Sequence, residues 1–272
     1  HASYKERYGE MTDLYDRPYQ TDYRNSVWNC GILPVYRQQL YSVYGEYKST
    51  AREFFATVNL THNREWYNRI YEQRIENGQV QRVSLPLSNH GSGYTVKSTL
   101  SKGFYDLGLK TSLMALLNIS KAEQISGGQR LPYQYRLMRL EPKVIWTPNR
   151  HWETSYQTDI RYGGSKIGER TRLAPLWNVI QQVQLSYIFS PIEASLSVDH
   201  YHNDVNEDQS VNAVFADFSV SWKSGRWQIT ATATNLFDKR TYAYTRYASL
   251  ESYTSWVRIR PREFLVAIRY RL

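Results

Sequence analysis

No apolar run in the 272 residues approaches the roughly 18 that a membrane-crossing helix needs. Cys30 is the only cysteine, which excludes an internal disulfide framework and any cysteine-based zinc cluster. No Gly-x-Ser-x-Gly elbow is present, so Asp199 and Asp204 beside His200 and His202 have no serine nucleophile to serve. Two imidazoles on one strand face fall short of the three or more converging ligands a metal needs, and partly wet rim histidines are the plainer reading. The glycine pair in Tyr162-Gly163-Gly164-Ser165-Lys166 lacks phosphate-loop spacing and marks a loop apex. The basic residues behind the net charge of +9 are scattered, which argues against a nucleic-acid partner. Asn59-Leu60-Thr61 and Asn118-Ile119-Ser120 match a glycosylation pattern but fall inside strand candidates, so we treat them as chance. Nothing here calls for a catalytic residue, a cofactor or a metal, and we expect no enzyme.

Aromatic residues are what the chain has in excess: 24 Tyr, 8 Trp and 8 Phe. Tyr and Trp gather where a membrane meets water, although a carbohydrate-binding soluble β protein also carries them. The second dominant signal is a period of two, the repeat of a strand whose side chains alternate between faces. At the C-terminus Phe264, Val266, Ile268, Tyr270 and Leu272 share one face, and Arg269 and Arg271 lie on the other. Val214, Ala216, Phe218, Val220 and Trp222 repeat the pattern before the turn Lys223-Ser224-Gly225-Arg226. Trp227, Ile229, Ala231 and Ala233 repeat it after the turn. A strand greasy on one face and polar on the other suits a transmembrane barrel, with lipid outside and a wet lumen inside.

The rhythm predicts eleven strands. They lie near 35–48, 54–66, 80–87 with 92–101 as one bent strand, 107–120, 132–146, 152–162, 175–189, 193–202, 211–222, 227–240 and 253–272. Gly91 and Gly93 should bend the third, and Pro142 should bulge or distort the fifth. None of the outward positions on strands four, six, seven, nine, ten and eleven is Asp, Glu, Lys or Arg, although 22% of the chain is charged. A soluble β-sandwich also keeps charge off its core face, but it seldom needs strands this long with Tyr and Trp at both ends. Connections alternate between short and long, as periplasmic turns and outer loops do. Residues 1–34 show no strand rhythm, and we expect an extracellular loop region there. Residues 35–272 would be the C-terminal strands of a barrel.

Asn235-Leu236-Phe237-Asp238-Lys239-Arg240, an aromatic loop, Arg260-Pro261-Arg262-Glu263 and a terminal amphipathic strand together resemble the C-terminal end of a TonB-dependent outer-membrane receptor of Bacteroidota type. The motifs cover roughly the last sixty residues, and the strand rhythm extends the resemblance over most of the chain. Such strands usually end in an aromatic residue; this one ends in Leu272, with Tyr270 the nearest substitute. The resemblance implies transport, the uptake of a scarce nutrient (siderophore, vitamin, glycan or peptide) across the bacterial outer membrane. It implies an N-terminal plug pulled by the TonB energy-transducing complex, barrel-assembly machinery acting on the last strand, and room for a surface lipoprotein partner. The sequence opens His1-Ala2-Ser3-Tyr4 with no signal peptide, plug or contact box, and an exported barrel needs the first. We therefore expect a mature fragment or part of a longer protein. Plugged barrels of this kind have about 22 strands, so eleven would be half, with the plug and first barrel half absent. An odd number cannot close antiparallel. The alternative is a non-transporting outer-membrane barrel, an adhesin or porin-like structural protein.

The candidate lumen-facing residues are Lys110, Lys143, Glu153, Asp159, Arg161, Asp217 and Arg269. They could hold a plug or line a ligand path, although cross-strand salt bridges are the plainer reading. In the outer loops Tyr242, Tyr244, Tyr247 and Tyr253 could stack on a sugar or a chelate, or form the upper aromatic girdle. Phe264, Val266, Ile268, Tyr270 and Leu272 form the candidate assembly strand.

Overall fold

A computed structural model describes every residue except 77, 169–170, 206–207, 249–250 and 272. The structure is all-β, with two short 3-10 turns and no α-helix among the described residues. Its strands are β1 (Ala2–Tyr8), β2 (Tyr19–Gln20), β3 (Asn25–Trp28), β4 (Val35–Ser49), β5 (Phe54–Tyr67), β6 (Ile70–Glu76), β7 (Gln79–Leu85), β8 (Asn89–Phe104) and β9 (Leu109–Ser126). Next come β10 (Gln129–Asn149), β11 (Trp152–Ile167), β12 (Thr171–Phe189), β13 (Ile192–Asp204), β14 (Ser210–Ser224), β15 (Trp227–Thr234), β16 (Thr241–Ala248), β17 (Glu251–Arg258) and β18 (Glu263–Tyr270).

The main sheet runs β1-β4-β5-β8-β9-β10-β11-β12-β13-β14-β15-β18, with each pair antiparallel. It is open: among the described residues β1 pairs only with β4, and β18 only with β15. No ladder joins Tyr41–Tyr47 to Phe264–Tyr270.

Several expectations need correction. Residues 1–34 are not free of strands, because β1 covers the upper half of the β4 edge from Val35 to Tyr41. The bare edge of β4 is thus its lower half. Residues 80–87 and 92–101 do not form one bent strand. The first belongs to β7, which folds back on β6 and pairs in parallel with β3, and the second lies within β8 of the main sheet. With β1 the path has twelve strands, and the β2–β3 and β6–β7 pairs stand off it, so the expected eleven do not exhaust the sheet. Residues 253–272 are likewise split. Pro261 interrupts them, leaving β17 in a separate hairpin with β16 and β18 in the main sheet. Pro142 causes no shift against β9, where it sits opposite Leu113. On the β11 side the ladder skips Glu141 and Pro142, and the register shift comes later, between Trp146 and Asn149.

The short connections lie at one end, the lower end here, and the one after Phe104 shows how they are fixed. Tyr105–Leu107 forms a 3-10 turn ended by Gly108 at φ +59°. A Cβ there would lie 2.1 Å from the Thr147 carbonyl oxygen. Glycine is required by backbone angle and by close approach together. The long connections at the upper end carry β2–β3, β6–β7 and β16–β17. The most buried apolar side chains include Ile70 on β6, Val83 on β7 and Ile125 near the upper end of β9. The β16–β17 hairpin packs on one face of the main sheet at β13 and β14, where Tyr242 meets Tyr201.

Candidate functional site

Register decides what each face is. Leu60, Val96, Leu117 and Met138 form one continuous cross-strand row. Val144, Tyr156, Val183, Val198 and Ala216 form another. Val220, Ala231 and Val266 carry the same face to the last strand. The alternation of single strands therefore adds up to one mostly apolar surface from β4 to β18, in which Ser98, Thr158, Gln181 and His200 are neutral polar members. A slip of one residue in any pair would break it. The surface is uncovered: Val43 is 66% exposed, Leu117 42%, Phe218 42% and Ile268 65%.

Aromatic rings border it. At the lower end Tyr47 meets Phe54, Trp152 meets Tyr187, and Trp227 meets Tyr270, with ring centroids 5.9, 4.6 and 4.8 Å apart. At the upper end His62 stacks on Tyr94 at 4.3 Å and Tyr162 meets Trp177 at 4.7 Å. About ten residues separate Tyr94 from Phe104 and Trp152 from Tyr162, the length of a membrane-spanning strand. At about 3.3 Å per residue that is roughly 33 Å of strand, or about 25 Å of height at a tilt near 40°.

The opposite face is polar. Lys110, Lys143, Glu153, Asp159, Arg161, Asp217 and Arg269 all fall on it by register. The structure gathers only two of them. Asp159 accepts two hydrogen bonds from Arg139, at 2.9 and 3.0 Å, and one from Arg161 Nη2 at 2.6 Å. Arg139 also pairs with Glu141. Glu141 and Arg139 lie two and four residues before Lys143 on the same face of β10, and sequence reasoning missed both. Lys110, Lys143, Glu153 and Arg269 have no ion pair among the described residues.

Higher on the same face Glu65 is a second centre that sequence reasoning missed. Tyr36, Gln38 and Asn63 donate to its Oε1 at 3.0, 3.0 and 2.8 Å, and Tyr67 donates to Oε2 at 3.0 Å. Burial and the bond to this carboxylate push the Tyr36 hydroxyl up to about 12. Donors from β4 and β5 converge on one carboxylate, which locks their register but leaves Glu65 little capacity for a ligand.

Asp217 belongs to a different arrangement, one that explains the Asn235–Arg240 motif. Its Oδ1 accepts the Asn235 N–H at 2.7 Å. Asn235 is buried and sits at φ +50°. Its Nδ2 donates to the carbonyls of Lys239 and Arg260 at 2.8 and 2.9 Å, and its Oδ1 accepts the Lys239 N–H at 2.9 Å. Asp238, also at φ +50°, accepts the Arg262 N–H at 2.9 Å and pairs with Arg240 at 2.8 Å. That pair holds the Asp238 carboxyl below its usual range. The motif ties β14, β15 and the entry to β18 together. It is a structural lock.

Tyr242 is not part of the upper girdle. It lies on the polar face, edge-on to Tyr201 at 5.2 Å, and accepts a hydrogen bond from Asn203 at 2.8 Å. Tyr244 lies 6.1 Å from it. The side chains of Tyr247 and Tyr253, and all of Leu272, lie outside what is described. Phe264, Val266, Ile268 and Tyr270 line the exposed apolar side of β18. His200 and His202 bond Gln181 and Asn212 rather than a shared centre, and no metal-holding cluster occurs among the described residues.

No protein-family model matches the sequence, and no curated protein matches it. Among solved structures it is similar to the translocator domain of autotransporter NalP from Neisseria meningitidis. The match has 11% identity and a TM-score of 0.30, over 90% of this chain and 83% of the other.

Proposed function

We propose that this chain is a stretch of the wall of a bacterial outer-membrane β-barrel, with its apolar face in lipid and its polar face toward a lumen. The observation that carries the reading is a mostly apolar band free of Asp, Glu, Lys and Arg between its borders, with Ser98, Thr158, Gln181 and His200 among its neutral polar members, bounded by aromatic rings about ten residues apart. A water-soluble protein rarely exposes a contiguous apolar patch beyond a few hundred Å². An open sheet cannot stay so in lipid, where unpaired edge groups have no water to bond. The bare edges of β4 below Tyr41 and of β18 therefore need further strands, from elsewhere in a longer chain or from a second chain. The upper end, with the long connections, would face outside the cell.

Such a wall has two uses. One is the uptake receptor implied by the resemblance at 235–240 and 260–263, with a plug, the TonB complex and assembly machinery as partners. The ion pairs around Asp159 and the hairpin folded onto Tyr201 give a plug or a ligand surfaces to rest on. The other is a non-transporting barrel. It fits at least as well, since Asn235 and Asp238 of the motif are engaged in locking strands. The two part on one experiment. A receptor requires a plug-like domain in the same reading frame and loss of uptake of some nutrient in a deletion strain. A strain that takes up every member of a siderophore, vitamin, glycan and peptide panel normally would leave the non-transporting wall.

A further inference from the structure

Above the upper girdle the membrane-facing side changes character. One cross-strand row there reads Arg64, Ser92, Lys121, Gln134 and Lys166, each the register partner of the next across β5, β8, β9, β10 and β11. Cations alternate with neutral hydrogen-bonding residues. Neighbouring strands lie about 4.8 Å apart, so successive cations are rooted roughly 10 Å apart. Their side chains are long enough to converge. All five residues line one concavity of about 550 Å³, together with Trp66 and His90. None of the three cations forms an ion pair among the described residues, although Arg64 Nε bonds His62 at 3.3 Å. Of the carboxylates lining the concavity, Glu123 is held by Arg130 at 3.1 Å, and Glu65 is held by its four donors on the polar face.

The next row down is His62, Tyr94, Ile119 and Arg136, and the row below it is Leu60, Val96, Leu117 and Met138. A cationic concavity thus opens directly above aromatic rings and an apolar wall. We infer that this concavity binds the phosphate headgroup of an acylated lipid, with the acyl chains lying down the face formed by Tyr94, Val96, Leu117 and Ile119. The inference rests on the membrane reading above. Charge complementarity selects the headgroup: three cations without an ion pair among the described residues, set between neutral donors, suit a phosphate with two or more negative oxygens. The adjoining apolar rows select a lipid over a free anion.

The test uses the membrane-inserted protein extracted in zwitterionic detergent, with dioleoyl phosphatidic acid as the probe. Partition of wild type and variants into phosphatidylcholine vesicles is measured first. The membrane reading requires the protein, with the strands that complete its sheet present, to partition in wild type and every variant, and a completed wild type that stays in solution defeats that reading and this inference with it. Binding of phosphatidic acid should then be saturable. It should weaken at least about tenfold in R64Q/K121Q/K166Q and hold in R150Q/R226Q, which removes cations at the lower turns. Each single substitution should weaken it severalfold, and R64K should restore most of the loss seen in R64Q, which keeps the test decisive should the triple variant fold poorly. Dioleoylglycerol and inorganic phosphate, each at the same concentration, should fail to compete. Equal binding by wild type and the singly substituted chains, or equal loss in R150Q/R226Q, would overturn the site. Competition by inorganic phosphate as strong as by phosphatidic acid would overturn the lipid as its occupant.

Discussion

Replacing Asn235 by Ala removes three hydrogen bonds at one buried position: two donated to Lys239 and Arg260 carbonyls and one accepted from the Lys239 N–H. Each contributes about 1 kcal/mol net. Asn tolerates the left-handed conformation better than Ala, and φ +50° adds about 1 kcal/mol of backbone strain to the Ala variant. The expected loss is about 4 kcal/mol. Asn235→Gly loses the same three bonds without the strain and should cost about 3 kcal/mol. The assay is urea unfolding of the membrane-inserted protein followed by tryptophan fluorescence. Hydrogen exchange should rise first in 235–240 and 259–263, where the lock joins β15 to the entry of β18. An Ala variant within about 1 kcal/mol of wild type would refute the reasoning. So would a Gly variant less stable than Ala.

Arginine at Val220 or Ile268, on the apolar face, should cost roughly 2–4 kcal/mol and impair insertion. Thr232→Arg, on the polar face opposite Ser219, should be far milder; equal damage in a vesicle-insertion assay would mean the faces are reversed. Gly108→Ala should lower the urea midpoint through strain and contact with Thr147, more than Gly225→Ala, whose Cβ would meet open space. Asp13 is pushed up by burial, but its bonds to Arg69 and to the Glu10 N–H bring its carboxyl below 3.8 overall. A depressed acid stabilises above its ordinary range and stops doing so as pH falls through the folded value. Protease cleavage around 9–15 should rise below about pH 4 in wild type. It should be less pH-dependent in Asp13→Asn.

The strands were legible wherever one face was free of charge and mostly apolar. β11 and β12 read cleanly because Trp152 to Tyr162 and Trp177 to Phe189 keep a period of two, with only the neutral Thr154, Thr158 and Gln181 as polar residues on the apolar face. Legibility failed where burial was not one-sided. β1 is Ala-Ser-Tyr-Lys-Glu-Arg-Tyr, exposed over most of its length, and its pairing with β4 gives no alternation to detect. β7 matches strand propensity as well as β8 does, and only the third dimension shows that it folds onto β6. The candidate lumen residues share the face opposite the apolar rows because register fixes the face. Their partners were not readable, since Arg139 reaches Asp159 from another strand twenty residues away. The Asn235 lock shows the converse. Its residues stand out in sequence, yet what they do is bind backbone, which no side-chain pattern announces.

The central claim is that one face of this sheet lies in lipid. Spin labels placed singly along β12 in a Cys30→Ser background, with the protein in phosphatidylcholine vesicles, test it directly. Labels at 179, 183 and 185 should be accessible to molecular oxygen and shielded from a water-soluble nickel chelate. Labels at 180, 182 and 184 should show the reverse. A profile without that period of two, or one with its phase inverted, would contradict the account.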